Sequence, residues 1–356
     1  MSPSPPLPPE DLDHVLAHTR ALWAEARGGR FFITGGTGFF GRWLLESFAH
    51  ANDTLQLGLS AVVLTRDPAA FARKAPHLTA RNDLAFLRGE IRDFPFPAGR
   101  FTHVIHAATA ASVVLNEAAP EEMLDTIVAG TRRVLEFSAQ AGVTKFLFTS
   151  SGAVYGPQPS TLTHVPEDYA GAAGSLLPGS AYAEGKRVAE ERCLEHARQC
   201  GCEVKIARGF TFVGPHLPLD AHFAVGNFIR DARRGGPIRV KGDGTSHRSY
   251  LYAADLAAWL WTILFRGPSG RAYNVGSDAD LTIRALAELV ASSAGGGCEV
   301  ILAQPAPAVG QPVHRYVPDI RRAREELGLE VWTDLRTALA RTAGWLAHGE
   351  AGDRGP

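Results

Sequence analysis

A disulfide framework, a dominant charge and a membrane-length apolar run are all missing from this sequence. Cysteine occurs four times in 356 residues (Cys193, Cys200, Cys202, Cys298), which is too few for a framework and implies a reduced, cytoplasmic protein. Cys200 and Cys202 make a Cys-x-Cys half-site, but no second half at ligand spacing follows, so no metal is expected. Lys plus Arg number 36 against 37 Asp plus Glu, a net charge of −1. Without excess positive charge there is no global field to hold a nucleic acid or an anionic membrane. The local cluster Arg230, Arg233, Arg234 reads as a solvated helix end. The longest apolar run, residues 256–265 (LAAWLWTILF), lies between Asp255 and Arg266. It falls short of the ~18 residues of a membrane span and predicts a buried helix. No basic segment followed by an apolar one stands at the N-terminus, so no signal peptide is expected.

What is present is an ordinary globular composition, 45% hydrophobic and 21% charged, in a chain long enough for about two domains. Five of the first nine residues are proline, which predicts a disordered tail. Residues 10–27 place Leu12, Val15, Leu16, Leu22 and Trp23 at helical spacing. From Arg30 a rhythm begins. RFFIT (30–34), SAVVLT (60–65), AFLRG (85–89), THVIHAA (102–108), KFLFTS (145–150) and EVKIAR (203–208) read as strands alternating with helices, among them residues 121–141. Continuous apolar strands separated by helices predict a parallel sheet covered on both faces, an α/β doubly wound (Rossmann) sheet. Beyond residue 208 the elements shorten and loops multiply, which suits a smaller C-terminal lobe.

Gly35, Gly38 and Gly41 form G-x-x-G-x-x-G between the first strand and the first sheet helix. Glycine lets the backbone turn sharply and approach a pyrophosphate, and the helix N-terminus offers it free N–H groups. In this strand–helix context the motif predicts dinucleotide binding. The second strand ends Thr65-Arg66-Asp67. An arginine there suits a 2′-phosphate and favours NADP, while Asp67 on a ribose keeps NAD open; Arg66 also reads as a plain loop charge. Glu90 and Ile91 follow the third strand, where a carboxylate and an aliphatic side chain suit an adenine or an ordinary loop equally.

Tyr182 and Lys186 stand four apart in a helical stretch, so both face one way. A neighbouring ammonium favours phenolate and is expected to lower the tyrosine pKa from ~10. Ser150 and Ser151 close the fifth strand, at the sheet edge where open α/β sheets take ligands. Ser151 is then a hydroxyl able to share a proton with Tyr182.

GGTGFFG, HAA, TSSGAVYG, Tyr-x-x-x-Lys, GDGTSHRSYLYAADLA and YNVG follow in this order over residues 30–345. The set resembles the extended short-chain dehydrogenases/reductases, in particular the nucleotide-sugar epimerase/dehydratase group. The resemblance implies hydride transfer between a sugar carbon, commonly C4, and a nicotinamide. Tyr182 is then the base, Ser151 the orienting hydroxyl and Lys186 the ribose-binding cation. It places Thr37, Phe39, Phe40, Ala107 and Ala108 with the three glycines at the cofactor. Asn227 and Arg248 match positions that hold the sugar diphosphate, Arg248 through a bidentate fork, and Thr211 and Arg315 fall near other substrate positions. A helix cap for Asn227 and a surface ion pair for Arg248 are the bland alternatives.

The resemblance further implies a nucleotide-diphosphate sugar as partner and a homodimer through the helices at 121–141 and 181–199. The divisions expected are 1–29 (proline-rich tail and helix), 30–208 (NAD(P)-binding with Ser/Tyr/Lys), 209–348 (mainly substrate lobe, returning in part to the sheet) and 349–356 (disordered tail). One departure narrows the reaction. The 4,6-dehydratases of the group follow the strand-five hydroxyl with Asp-Glu, and its UDP-glucuronate decarboxylases carry a glutamate where Ala153 lies. Gly152 and Ala153 transfer no proton. The loop 164–168, with His164 and Asp168, is the other source of acids. The expected activity is therefore epimerisation or 4-keto reduction. A 4,6-dehydratase and a non-catalytic dinucleotide sensor are the alternatives.

Overall fold

The computed structural model describes residues 3–108, 116, 118–171, 180–221, 223–293, 297–305, 311 and 313–351. In chain order it runs α1 (Pro9–Thr19), β1 (Arg30–Thr34), α2 (Phe39–Leu55), β2 (Ser60–Thr65), α3 (Pro68–Lys74), α4 (Pro76–Thr79), β3 (Leu84–Arg88), β4 (His103–His106), α5 (Pro120–Ala141), β5 (Lys145–Ser151), α6 (Ala181–Cys200) and β6 (Glu203–Gly209). It continues with β7 (Phe212–Val213), α7 (Ala224–Arg233), β8 (Ile238–Val240), β9 (His247–Ser249), β10 (Leu251–Tyr252), α8 (Ala253–Arg266), β11 (Arg271–Val275), β12 (Asp280–Thr282), α9 (Ile283–Ser293), β13 (Val300–Leu302), β14 (Arg315–Tyr316), α10 (Arg321–Leu327) and α11 (Leu335–Ala351).

Seven strands form one parallel sheet in the order β11-β6-β5-β4-β1-β2-β3. Strand order reverses between β1 and β4, the point at which doubly wound sheets bind ligands. Alternate residues of a strand face opposite sides. Phe31 and Ile33 accordingly pack with Trp43, Phe48 and Trp261 of α2 and α8, while Phe32 packs with Phe94, Val134 and Phe137 on the α5 side. The apolar run at 256–265 lies within α8, every residue of which is buried up to Phe265. Three short strands, β12-β9-β14, make a separate sheet of the C-terminal lobe. β11 returns to the large sheet from the same part of the chain.

The N-terminus departs from the sequence reading. The proline-rich stretch is docked, with Leu7 only 2% exposed and its N–H donating to Glu46 Oε2 at 2.6 Å. The Pro6 carbonyl accepts from Trp345 Nε1 at 3.0 Å, so the chain start is tied to α11. Prolines that cannot form a helix still lie flat against a surface as extended backbone. The helix expected over 10–27 stops at Thr19 and continues as a 3₁₀ turn, Arg20–Ala26. Thr19 Oγ1 donates back to the Val15 carbonyl (2.7 Å) and accepts from Trp23 Nε1 (3.1 Å), which holds Trp23 against Trp261 with ring centroids 4.6 Å apart. At the other end, α11 carries the chain to Ala351, into the segment 349–356 expected to be disordered; residues 352–356 lie outside the described ones.

Glu46 is buried beneath this N-terminal segment. Burial pushes its carboxyl up, but the nearby imidazoles of His216 (3.7 Å) and His77 (3.2 Å) and the hydrogen bond from the Leu7 N–H outweigh that and hold it at about 2. Deleting residues 1–8 removes one donor and the burial of Leu7, costs of about 1–3 kcal/mol each. The urea midpoint at pH 7 should fall accordingly. A carboxyl depressed on folding stabilises above its unfolded pKa of 4.5 and loses that contribution as pH falls towards about 2. The truncated chain should therefore show a shallower loss of stability below pH 4.5; equal midpoints and slopes would refute the account.

Candidate active site

The glycine loop between β1 and α2 is packed so closely that no side chain fits at Gly35, Gly36 or Gly41. Gly35 has φ +72°, and a Cβ there would lie 2.4 Å from the Ala107 carbonyl. On Gly41 it would lie 2.2 Å from the Gly35 oxygen and 2.3 Å from Gly36 Cα. Ala107 thus forms the floor under the loop, and the Ala108 N–H donates to Thr34 Oγ1 (3.1 Å), which ties the HAA motif to the end of β1. Gly38 is the N-cap of α2 and supplies no side-chain cap. The N–H groups of a 17-residue helix therefore open on the loop with no side chain across them. Thr37, Phe39 and Phe40 are half-buried around that opening, with Phe40 edge-on to Phe212 at 5.0 Å. An uncapped helix N-terminus over a Cβ-free cradle fits the pyrophosphate of a dinucleotide.

At the end of β2, Thr65 is buried and Arg66 exposed. Asp67 caps α3, its Oδ1 accepting from the Ala70 N–H at 2.9 Å, so the carboxylate that kept a ribose contact open is engaged in the fold. Glu90 accepts from the N–H (2.9 Å) and Nε (3.0 Å) of Arg92 and so stands in an ion pair of its own loop. Ile91 is buried against α5, where Gly130 makes room: a Cβ there would come within 2.9 Å of it.

Ser151, Tyr182 and Lys186 do come together at the carboxyl edge of the sheet. Ser151 ends β5, its Oγ accepts from the Ala153 N–H (3.2 Å), and it lies near enough to the Tyr182 hydroxyl to favour its ionised form. The first turn of α6 is fixed by the Tyr182 N–H, which donates to Asn116 Oδ1 at 2.9 Å. Lys186, one turn on, is 2% exposed. Its Nζ donates to the Thr149 carbonyl at 2.7 Å and sits 4.7 Å from the Phe148 ring centroid and 5.9 Å from that of Tyr182.

The electrostatics differ from the expectation. Burial raises the Tyr182 pKa, only partly countered by Ser151. Burial also pushes Lys186 down to about 7. A dry ammonium near 6 Å from the ring does not by itself make phenolate. His106, at the end of β4, is bonded to Thr34 Oγ1 (2.7 Å) and Thr131 Oγ1 (3.0 Å). Burial and then Lys186 hold it near 3, so it is neutral and structural.

The lobe residues divide. Arg248, on β9, lies 5.8 Å from the Tyr316 ring, and the Tyr316 hydroxyl stands beside Gly152, where a Cβ would come within 2.8 Å of it; Arg248 therefore lies near the turn that follows β5. Asn227 is consumed locally. Its Nδ2 donates to the Ala221 (2.8 Å) and Phe223 (2.9 Å) carbonyls and its Oδ1 accepts from Arg230 (2.8 Å); it lies within α7, whose N-cap is Phe223, so it braces the start of the helix without capping it. Thr211 donates to the Ser249 carbonyl, and Arg315 pairs with Asp280 at 2.7 Å. The loop 164–168 turns away: His164 Nε2 meets the Asp278 carbonyl (2.9 Å), and Glu167 accepts from the Asn274 N–H (2.9 Å). Among the described residues no cluster of His, Cys, Asp or Glu can hold a metal ion.

The sequence model of the NAD dependent epimerase/dehydratase family matches residues 31–276. The chain belongs to that family. UDP-glucuronic acid decarboxylase 6 of Arabidopsis thaliana is 30% identical over 311 residues, covering 87% of this chain and 86% of that one. The structure of dTDP-glucose 4,6-dehydratase from Streptomyces venezuelae with NAD bound superposes with a TM-score of 0.75 at 25% identity, covering 91% of this chain and 98% of that one. Thermus thermophilus UDP-glucose 4-epimerase in complex with NAD gives a TM-score of 0.72 at 26% identity, covering 89% and 99%.

Within this family frame, two features escaped the sequence reading. Tyr316 was masked by its neighbour Arg315: on a two-residue strand adjacent side chains face opposite ways, and only the fold shows that Tyr316 is the one packed on Phe210 beside Gly152. The other is a buried network behind the motifs. Tyr155 Oη donates to Asn274 Oδ1 (2.7 Å) and accepts from Arg208 (2.9 Å), whose guanidinium pairs with Glu190 of α6 at 2.6 Å. This locks α6, and with it Tyr182 and Lys186, to β6 and β11.

Lys186 folds with a pKa of about 7 against 10.5 unfolded. Between those values the unfolded chain binds more protons, so stability should rise with pH across that window. In Lys186→Met the slope due to this residue should vanish; urea unfolding of both proteins between pH 7 and 10 checks it, and parallel curves would refute the burial argument.

Proposed function

We propose that the protein is an NAD(P)-dependent enzyme acting on a nucleotide-diphosphate sugar by redox chemistry at a ring carbon, C4, as an epimerase or a 4-ketoreductase. The observation that carries this is the meeting of Ser151, Tyr182 and Lys186 at the sheet edge beside an uncapped helix N-terminus, with no acid or base at Gly152 and Ala153. A nicotinamide held there accepts or returns a hydride. Gly35, Gly38 and Gly41 with the α2 N-terminus hold the pyrophosphate, and Ala107 and Ala108 line the approach to the ring. Tyr182 Oη takes the proton of the sugar hydroxyl as that carbon is oxidised and returns it on reduction. Ser151 donates to the same sugar oxygen. Lys186 holds a ribose hydroxyl and, once ligands displace its carbonyl contact, favours phenolate.

Several finer assignments belong to this proposal. NADP is favoured because Arg66 is exposed beside Thr65 while Asp67 is committed to capping α3. Arg248 is assigned to the sugar phosphates. A homodimer through α5 and α6 is supported by Leu124 and Val188, two of the three exposed large hydrophobics among the described residues. A reducing, cytoplasmic setting is supported by four free thiols, two of them buried.

A second reading, decarboxylation of UDP-glucuronic acid, is favoured by the 30% identity to a plant decarboxylase; the absence of a titratable group at 152–153 speaks against it. Incubation with UDP-glucose, UDP-glucuronic acid and dTDP-glucose in the presence of NAD⁺ or NADP⁺, and of NADPH with a nucleotide 4-keto-6-deoxysugar, separates the readings. Epimer formation or NADPH oxidation is expected. Carbon dioxide release or a 4-keto-6-deoxy product would replace the proposal with decarboxylation or dehydration. Tyr182→Phe should lower turnover about 10³-fold while cofactor affinity stays within about twofold; unchanged turnover would refute the role of Tyr182, whereas cofactor binding by the wild type without turnover of any substrate in the screen would favour the sensor. Arg66→Ala should weaken NADPH binding on the order of tenfold or more and leave NADH unaffected, since only the 2′-phosphate loses its partner; fluorescence titration reads both.

A further inference from the structure

We infer that the docked N-terminal segment, residues 4–7, is a latch that holds the cofactor cradle against the C-terminal lobe, so that latch closure and cofactor binding support each other. The inference rests on the reading of the α2 N-terminus as the dinucleotide cradle and adds to it a control from a distant part of the chain.

Three backbone groups carry the segment across the molecule. The Ser4 N–H donates to the carbonyl of Lys74, the last residue of α3, at 2.9 Å. The Leu7 N–H donates to Glu46 on α2 at 2.6 Å, and the Pro6 carbonyl accepts from Trp345 of α11 at 3.0 Å. α2 and α3 belong to the cofactor half, whereas α11 packs on β7 and β10. One short stretch therefore joins both. Prolines at 3, 5, 6, 8 and 9 suit this task, because a fixed φ keeps the segment extended before it docks and less conformational freedom is lost on closing.

What the latch grips leads to the cradle. Glu46 lies about two turns beyond Gly38, the N-cap of α2. Its other oxygen faces His216 Nε2 at 3.7 Å, and the His216 ring is edge-on to Trp345 with centroids 4.4 Å apart. His216 has a left-handed backbone, φ 68°. Among the described residues Gln56 is the only other non-glycine residue with positive φ, and it ends α2 as an ordinary left-handed cap. His216 stands instead in the turn after β7, where such a conformation persists only if its surroundings impose it. The residue before it, Pro215, accepts through its carbonyl from Trp43 Nε1 of α2 at 3.0 Å. On β7 itself, Phe212 meets Phe40 in the first turn of α2, with centroids 5.0 Å apart. Latch, turn and the first two turns of α2 thus form one contiguous set of contacts that ends at the glycine loop. Opening the latch loosens α2 on one side and the turn on the other, and a dinucleotide must then bear the cost of ordering them.

Fluorescence titration with NADH and NADPH, well below the unfolding transition, tests this. The full-length pair Ser4→Pro/Trp345→Phe removes two of the three bonds and keeps an aromatic ring against His216. Its Kd for both cofactors should rise about fivefold, since one cradle serves both pyrophosphates; a rise confined to NADPH would point to the 2′-phosphate contact and overturn the latch. Ser4→Pro alone removes one N–H from a stretch already shaped by prolines, which guards against the pair failing to fold, and should raise both Kd values about twofold. A lowered urea midpoint with both Kd values unchanged would make the segment a brace for the fold and overturn the inference. Coupling is reciprocal, so the wild type gives an independent reading. Within residues 3–9 only Ser4 and Leu7 are not proline, and both their N–H groups are bonded, so hydrogen exchange of that peptide reports latch opening. Saturating NADH or NADPH should slow it about fivefold; equal exchange with and without bound cofactor would overturn the coupling. Failure of the wild type to bind either cofactor would instead refute the cradle reading, and the coupling with it.

Discussion

An ammonium group with almost no access to water is the constraint around which this site is arranged. Lys186 is 2% exposed, sits above the Phe148 face and donates to the Thr149 carbonyl of β5. Burying a cation costs several kcal/mol unless it is well partnered, and here burial lowers its pKa to about 7. Such a residue is unfavourable for folding alone, and strongly perturbed groups at a sheet's carboxyl edge mark functional sites. The neighbourhood accommodates it with neutral groups: His106 is held uncharged between two threonines. The nearest acid, Glu190, is committed to Arg208.

The position of that lysine depends on how closely α5 and α6 approach the sheet and one another. Gly130 on α5 leaves room for Ile91, and Gly185 on α6 leaves room for Ile127, with a hypothetical Cβ at 2.9 and 3.1 Å respectively. The Glu190–Arg208–Tyr155–Asn274 network then fixes the rotation of α6. Asn274 also donates to the Val165 and Asp319 carbonyls, so the same residue that steadies the catalytic helix anchors the segment leading back from β14.

Strands, glycine loop and the Ser/Tyr/Lys cluster were legible because each is specified locally. RFFIT, SAVVLT and KFLFTS begin where β1, β2 and β5 begin, since a strand buried on both faces is a plain apolar run. What the sequence hid was set by distant partners. Nothing within residues 1–9 announces that Leu7 meets Glu46 and Pro6 meets Trp345, because the surface that orders them is built elsewhere. Lys186 was expected to lower the Tyr182 pKa because helical spacing gives proximity but not dielectric, and burial outweighs the charge. Glu90 and Asp67 were candidate ligands by position, and each has one carboxylate oxygen engaged locally, Glu90 Oε2 by Arg92 and Asp67 Oδ1 by the α3 cap, which position alone could not show. Asn227 likewise closes its own turn. The lobe is where the pattern failed most: β9, β12 and β14 are three residues or fewer, too short for any period to show.

Family membership alone leaves the reaction open, because relatives named as decarboxylases, dehydratases and epimerases share this sheet and function resides in the site grafted on it. At the two positions after Ser151, neither Gly152 nor Ala153 carries an ionisable group. Gly152 lies under Phe210 and Tyr316 with no room for a Cβ, so an acid could not be introduced there without moving both rings. Packing and sequence thus agree at 152: the turn after β5 is closed by a ring from β14, so the residue at this position and the placement of β14 beside β9 are fixed together.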